Sequence, residues 1–146
     1  MTSKDVEHIL RKDEGLSLEF KKAGNSLPKN LFETVCAFLN REGGTILLGV
    51  SDSKKVLGLN KNIADRLCKE VTNLSNNPQK LDPPFLLHPK CVDLENKTLV
   101  SIFIPASSQV HKTAGKVFDR SSDGDFVLTS DEQISRMYMR KSSYYS

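Results

Sequence analysis

A chain of 146 residues, 38% apolar and 27% charged, has the size and composition of one soluble globular domain with a buried core. Its formal charge of +3 permits a polyanion partner without demanding one, and no apolar run approaches the ~20 residues that span a bilayer. The opening "MTSKDVEHILRKDEG" lacks the apolar core of a signal peptide, so the expected location is the cytoplasm, with no membrane partner.

In chain order, Val6, Ile9 and Leu10 predict a first helix over about residues 4–12. Leu16, Leu18 and Phe20 alternate with Ser17, Glu19 and Lys21, the pattern of a half-buried strand that turns Glu19 away from Leu18 and Phe20. Glu14 lies five positions before Glu19, so the two acids converge only if the chain bends at Gly15. "SLPKNLFETVCAFLNREGG" reads as helix, started near Ser26 and Pro28 and stopped by Gly43 and Gly44, with Asn40 tying the turn. "TILLGVSD" is a continuous β-rich apolar run, expected to be a central strand covered on both faces. "SDSKKVLGL" predicts a turn and a short returning strand.

Asn62 is expected to cap a helix reaching Leu74, with Ile63, Leu67, Val71 and Leu74 as its apolar stripe. Two strands, "FLLHPKCVDL" and "KTLVSIFIPA", then form a hairpin across Glu95 and Asn96. The polar residues 107–116 predict a mobile loop before a short strand at "KVFDR". Ser130 and Gln133 make a capping box for a last helix with Ile134, Met137 and Tyr138 on its inner face. The expected organisation is a single domain over 1–141 and a tail over 142–146, exposing Tyr144 and Tyr145, that reads as the start of a linker to a further C-terminal region. The fold class is α+β, a mixed and mainly antiparallel sheet with flanking helices.

Chemistry-bearing residues are sparse. Cys36, Cys68 and Cys91 are odd in number and widely spaced, read as small buried hydrophobes, and His8, His88 and His111 are equally scattered. Gly43 and Gly44 follow a helix and lack the G-x-x-x-x-G-K-[ST] spacing, so they make no phosphate loop. Phe118 and Phe126 suit core packing better than base stacking.

Three pieces, "EGLSLEFKKA", "AFLNREGGTILLGVSD" and "KKVLGL", resemble in order and spacing the AlbA_2, or Schlafen AlbA-like, domain. The later "IFIPASSQVHK" and "KVFDRSSDG" resemble that family's closing strand and loop, with Arg120 at its arginine position. The resemblance implies a Schlafen-core-like fold and two functional classes. One is a nucleic-acid-binding module of a bacterial transcriptional-regulator-like protein, needing no cofactor, fused to ATPase-like or winged-helix regions and able to self-associate. Lys21, Lys22, Lys54, Lys55 and Arg120 are its candidate nucleic-acid contacts. The other is a Schlafen-like ribonuclease in which Glu14, Glu19 and Asp52 hold Mg²⁺ or Mn²⁺, cations that favour clustered carboxylates. A protein-interaction or oligomerisation domain stays open as a third class, as does a ligand site along Arg120 and the 107–116 loop.

Overall fold

The computed structural model describes residues 1–142, so the expectation for Tyr144 and Tyr145 lies outside the described residues. Element α1 (Ser3–Leu10) opens on a capping box between Thr2 and Asp5 and buries Val6. It covers one face of a four-stranded sheet whose order is β1-β2-β4-β3. Strand β1 (Leu18–Lys21) runs parallel to β2 (Gly44–Leu48), and β2 runs antiparallel to β4 (Lys97–Ile104), which pairs with β3 (Lys90–Leu94). Leu18, Phe20, Leu47, Val92, Leu94 and Leu99 join Val6 in the core on this side.

The opposite face carries α2 (Leu31–Asn40) and α3 (Lys61–Ser75). α2 is apolar nearly all round, and such a helix needs cover on every side. It obtains that cover from the first sheet through Ile46, Leu48 and Val100, and from a second, three-stranded sheet behind it. That sheet comprises β5 (Lys112–Thr113), β6 (Lys116–Ser121) and β7 (Gly124–Val127), all antiparallel. α4 (Asp131–Ser142) closes it, with Met137 buried against Val110, Val117 and Leu128. The α+β class, the covered strand β2 and the Ser130–Gln133 capping box therefore agree with the sequence reading.

Several details differ. The cap of α3 is Asn60, two residues before Asn62, because the Asn60 side chain accepts from the Asn62 N–H. The turn and returning strand predicted from "SDSKKVLGL", residues 51–59, are reduced to a Val50–Val56 bridge beside a tight turn. The strand expected from Phe85 begins only at Lys90, and the Glu95–Asn96 hairpin is present with both turn residues at positive φ. Tyr138 is exposed rather than inward, and Cys91 is exposed as well.

The largest correction concerns residues 107–116, which are packed and not a free loop. His111 is fully buried, its Nδ1 within 2.7 Å of the Pro83 carbonyl and its Nε2 within 2.7 Å of Ser107 Oγ. A carbonyl only accepts, so Nδ1 carries the proton and the Ser107 hydroxyl donates to Nε2. Asn40, also fully buried, donates to the carbonyls of His111 and Phe118 and accepts from the His111 N–H, tying the end of α2 to the second sheet. Gly43 ends that helix at φ +81, and a Cβ there would lie 2.5 Å from the Ile104 carbonyl oxygen.

Candidate nucleic-acid interface

Parallel pairing of β1 and β2 places their C-terminal ends side by side. Lys21 and Lys22 leave β1 where the Gly49–Val50 backbone leaves β2, both N–H groups donating to the Lys21 carbonyl. Gly49 sits at φ +99, and the chain turns at once through Ser51–Lys55, closed by Lys54 N–H to Ser51 O and Ser51 N–H to Lys55 O. Asp52, Lys54 and Lys55 thus share one turn next to Glu19, Lys21 and Lys22.

The bend expected at Gly15 is present. The Gly15 N–H donates to the Leu18 carbonyl at 3.1 Å, folding Glu14 back so that its Oε2 accepts from the Phe20 N–H at 3.1 Å. Arg120, reaching over from β6, holds this turn. Its Nε and Nη2 donate to the Gly15 carbonyl at 3.0 and 2.7 Å, Nη2 also reaches the Leu18 carbonyl at 3.0 Å, and Nη1 pairs with Asp125 at 2.7 Å and Glu19 at 3.4 Å. The guanidinium lies 4.8 Å above the Phe38 ring, and the residue is 2% exposed.

The result is two adjoining shallow depressions of about 290 and 260 Å³ that share Glu19 and Asp52. The first is lined also by Lys21, Lys22, Pro28 and Asn30, the second by Glu14, Arg120, Ser122 and Asp123. The three acids singled out from sequence therefore line one continuous surface. They are not a ligand set as they stand: Glu14 is engaged by a backbone N–H, Glu19 lies against Arg120 and 3.9 Å from Lys21 Nζ, and among the described residues no three acidic, histidine or cysteine side chains are grouped to hold a metal. The donor set does not fit Mg²⁺ or Mn²⁺ in this arrangement.

The five basic residues fall into different environments. Lys22 and Lys55 are exposed, and Lys54 is half-buried with Nζ 2.6 Å from Asp13 on an exposed loop. Lys21 is 8% exposed and donates to Asn30 at 3.0 Å; burial pulls its ammonium below the ordinary lysine value, with Asp125 opposing. Arg120 is an internal clamp whose donors are spent on the protein. Asp119 beside it is half of a second pair: burial opposes its charge, but two hydrogen bonds from Arg41, at 3.0 and 2.8 Å, hold the carboxyl below its usual range. Asp125, Asn30 and the Ser122–Gly124 turn were missed from sequence, although the acid- and glycine-rich "SSDGD" after Arg120 is the signal that marks such a turn.

Comparison with known proteins adds to this geometry. No curated protein matches the chain. Among solved structures, the DIP2311 protein of Corynebacterium diphtheriae superposes with a TM-score of 0.65 at 17% identity, covering 94% of this chain but 28% of that one. The N-terminal domain of a RecG-related protein from Nitrosomonas europaea, a candidate ATP-dependent DNA helicase, superposes with a TM-score of 0.61 at 21% identity over 90% of this chain and 92% of that domain. These likenesses establish a shared fold, and the chain spans less than a third of the Corynebacterium protein. The family profile described as Schlafen, AlbA_2 matches residues 14–137, from the glutamate that opens the bent strand to the buried methionine of α4. With the match spanning both sheets and the whole depression, the chain belongs to the Schlafen AlbA_2 family.

Proposed function

We propose that this chain is a nucleic-acid-binding module that takes the phosphate backbone along the lysine-bearing rim of the Glu19–Asp52 depression. The observation that carries the reading is that Lys21 and Lys22 line the depression together with Asp52, whose turn after the parallel neighbour β2 also carries Lys54 and Lys55. Lys22, Lys54 and Lys55 are the phosphate contacts, while Lys21 and Arg120 shape the surface from within. Membership of the family and the likeness to a domain of a RecG-related protein support the reading. The module works within a larger protein of the transcriptional-regulator type, in which other regions supply activity. Backbone contact by lysines positions a strand without reading its bases.

Fluorescence anisotropy with labelled single- and double-stranded oligonucleotides across a salt series tests it. Three phosphate contacts predict a slope of log affinity against log salt of about −2 on single strands and about −2.7 on duplex. Affinity that is absent at low salt, or flat across the series, rules the reading out.

A second reading, metal-dependent RNA cleavage, is favoured by one observation: Glu14, Glu19 and Asp52 line a common surface. It requires Glu14 to leave the Phe20 N–H and Glu19 to leave Arg120. A cleavage gel with Mn²⁺ against EDTA, wild type against Glu19→Ala, decides it: cutting by the wild type that EDTA and the substitution both abolish establishes the reading, and no cutting removes it.

A further inference from the structure

We propose that Cys68 and Cys91 are a dithiol that a low-molecular-weight disulfide oxidises to an intramolecular bond, locking α3 onto the edge strand β3. The two sulfurs, 23 positions apart in sequence, lie 3.6 Å apart across the helix–strand contact. A disulfide needs them about 1.6 Å closer, a small adjustment between a helix side chain and an edge-strand side chain. Both thiols are free, Cys91 exposed and Cys68 half-buried, so a small reagent reaches the pair while the fully buried Cys36 stays out of reach. A shallow depression of about 330 Å³ lined by Cys68, Lys69, Thr72 and Asn73 opens beside the inner sulfur.

Asp65, one turn before Cys68, accepts the Cys91 S–H at 3.4 Å and holds that thiol against the helix. Desolvation raises both thiols above the ordinary cysteine value, so the pair rests as S–H groups and reacts slowly at neutral pH. The exposed Cys91 reacts first. Its sulfur, on losing its proton, attacks one sulfur of the reagent RSSR, forming Cys91–S–SR and expelling RS⁻, which takes up that proton. Cys68 then attacks the Cys91 sulfur, its own proton passing to the second departing RS⁻. Two electrons move from the cysteine pair to the reagent, giving one protein disulfide and two RSH. Bonds of this kind in reducing compartments are transient and regulatory.

The test treats the folded chain with oxidised glutathione, quenches free thiols and reads intact mass, linked peptides and thermal midpoint. The expected product is two hydrogens lighter, yields a Cys68–Cys91 peptide pair that dithiothreitol separates, and melts at least about 5 °C higher than the reduced chain. Cys68→Ser is expected to stop at a stable glutathione adduct on Cys91, which confirms the order of attack. A lasting adduct on wild-type Cys91, a link to a second copy, or a wild type that stays fully reduced while Cys68→Ser takes up glutathione overturns the proposal. A wild type and variant that both resist the reagent overturn it as well.

Discussion

Arg120 joins β6 to the turn before β1, and its removal strands more charge than any other single change in the depression. Arg120→Met leaves Glu19 and Asp125 without their shared cation, strips the Gly15 carbonyl of both guanidinium donors and leaves the Leu18 carbonyl with the Gly15 N–H alone. Breaking a buried pair from one side costs about 3–5 kcal/mol, and that loss is expected in urea unfolding. Arg120→Lys restores charge but not the fork that serves two carbonyls and two carboxylates, so it recovers only part of it. His111 makes a pH prediction. Burial lowers its value below 6.5, so as pH falls through that point the unfolded chain takes up a proton first and stability falls with it. The thermal midpoint is expected to drop between pH 7.5 and 5.5, and the drop to shrink in His111→Gln; an unchanged drop in the variant assigns it to another group. Asp119 acts lower, its stabilisation lost as pH falls through its depressed carboxyl value below 3.8.

At the scale of elements, the junction after α2 is tightly constrained by its glycine and its buried asparagine. Gly43→Ala puts a Cβ 2.5 Å from a backbone carbonyl at a left-handed φ, and is expected to cost about 2 kcal/mol or more in denaturant unfolding. Asn40→Ala strips three buried hydrogen bonds that hold β5 and β6 to the helix, with an expected loss of about 3 kcal/mol or more. These elements also separate what sequence makes legible from what it hides. α2 and β2 were readable because continuous apolar runs must be covered on both sides, and the Glu95–Asn96 hairpin because its turn is local. Residues 107–116 were not, since their polar groups are satisfied by Asn40, Pro83 and Lys80, distant in sequence, and polarity alone resembles a solvated loop. β7 was hidden for a similar reason: its four residues gain their place only by pairing with β6.

For the whole molecule, α2 between two sheets makes the two halves one structure, and the depression sits where both contribute. The depression mixes carboxylates with lysines, so under the proposed function a phosphate chain is expected to follow the lysines and avoid the acids. The Gly15 bend that lets Glu14 approach Glu19 was legible as a condition in the sequence, and Glu14, Glu19 and Asp52 line a common depression. The burial of Arg120 was hidden, because its partners Gly15, Leu18 and Glu19 lie about a hundred positions away and make a candidate phosphate contact an internal clamp. Neutralising an acid of the depression while leaving the lysines intact, as in Asp52→Asn, is expected to tighten oligonucleotide binding at low salt by about two- to fivefold, read by anisotropy.

Phosphate binding by Lys22, Lys54 and Lys55 is tested by one comparison: oligonucleotide affinity against salt for wild type, for the triple variant Lys22→Ala, Lys54→Ala, Lys55→Ala, and for a control with the exposed Lys69 and Lys116 changed to alanine. The triple variant is expected to lose most affinity and about two to three units of salt slope while the control keeps both. Equal affinity in the triple variant and wild type, or an equal loss in the control, contradicts the assignment of this surface.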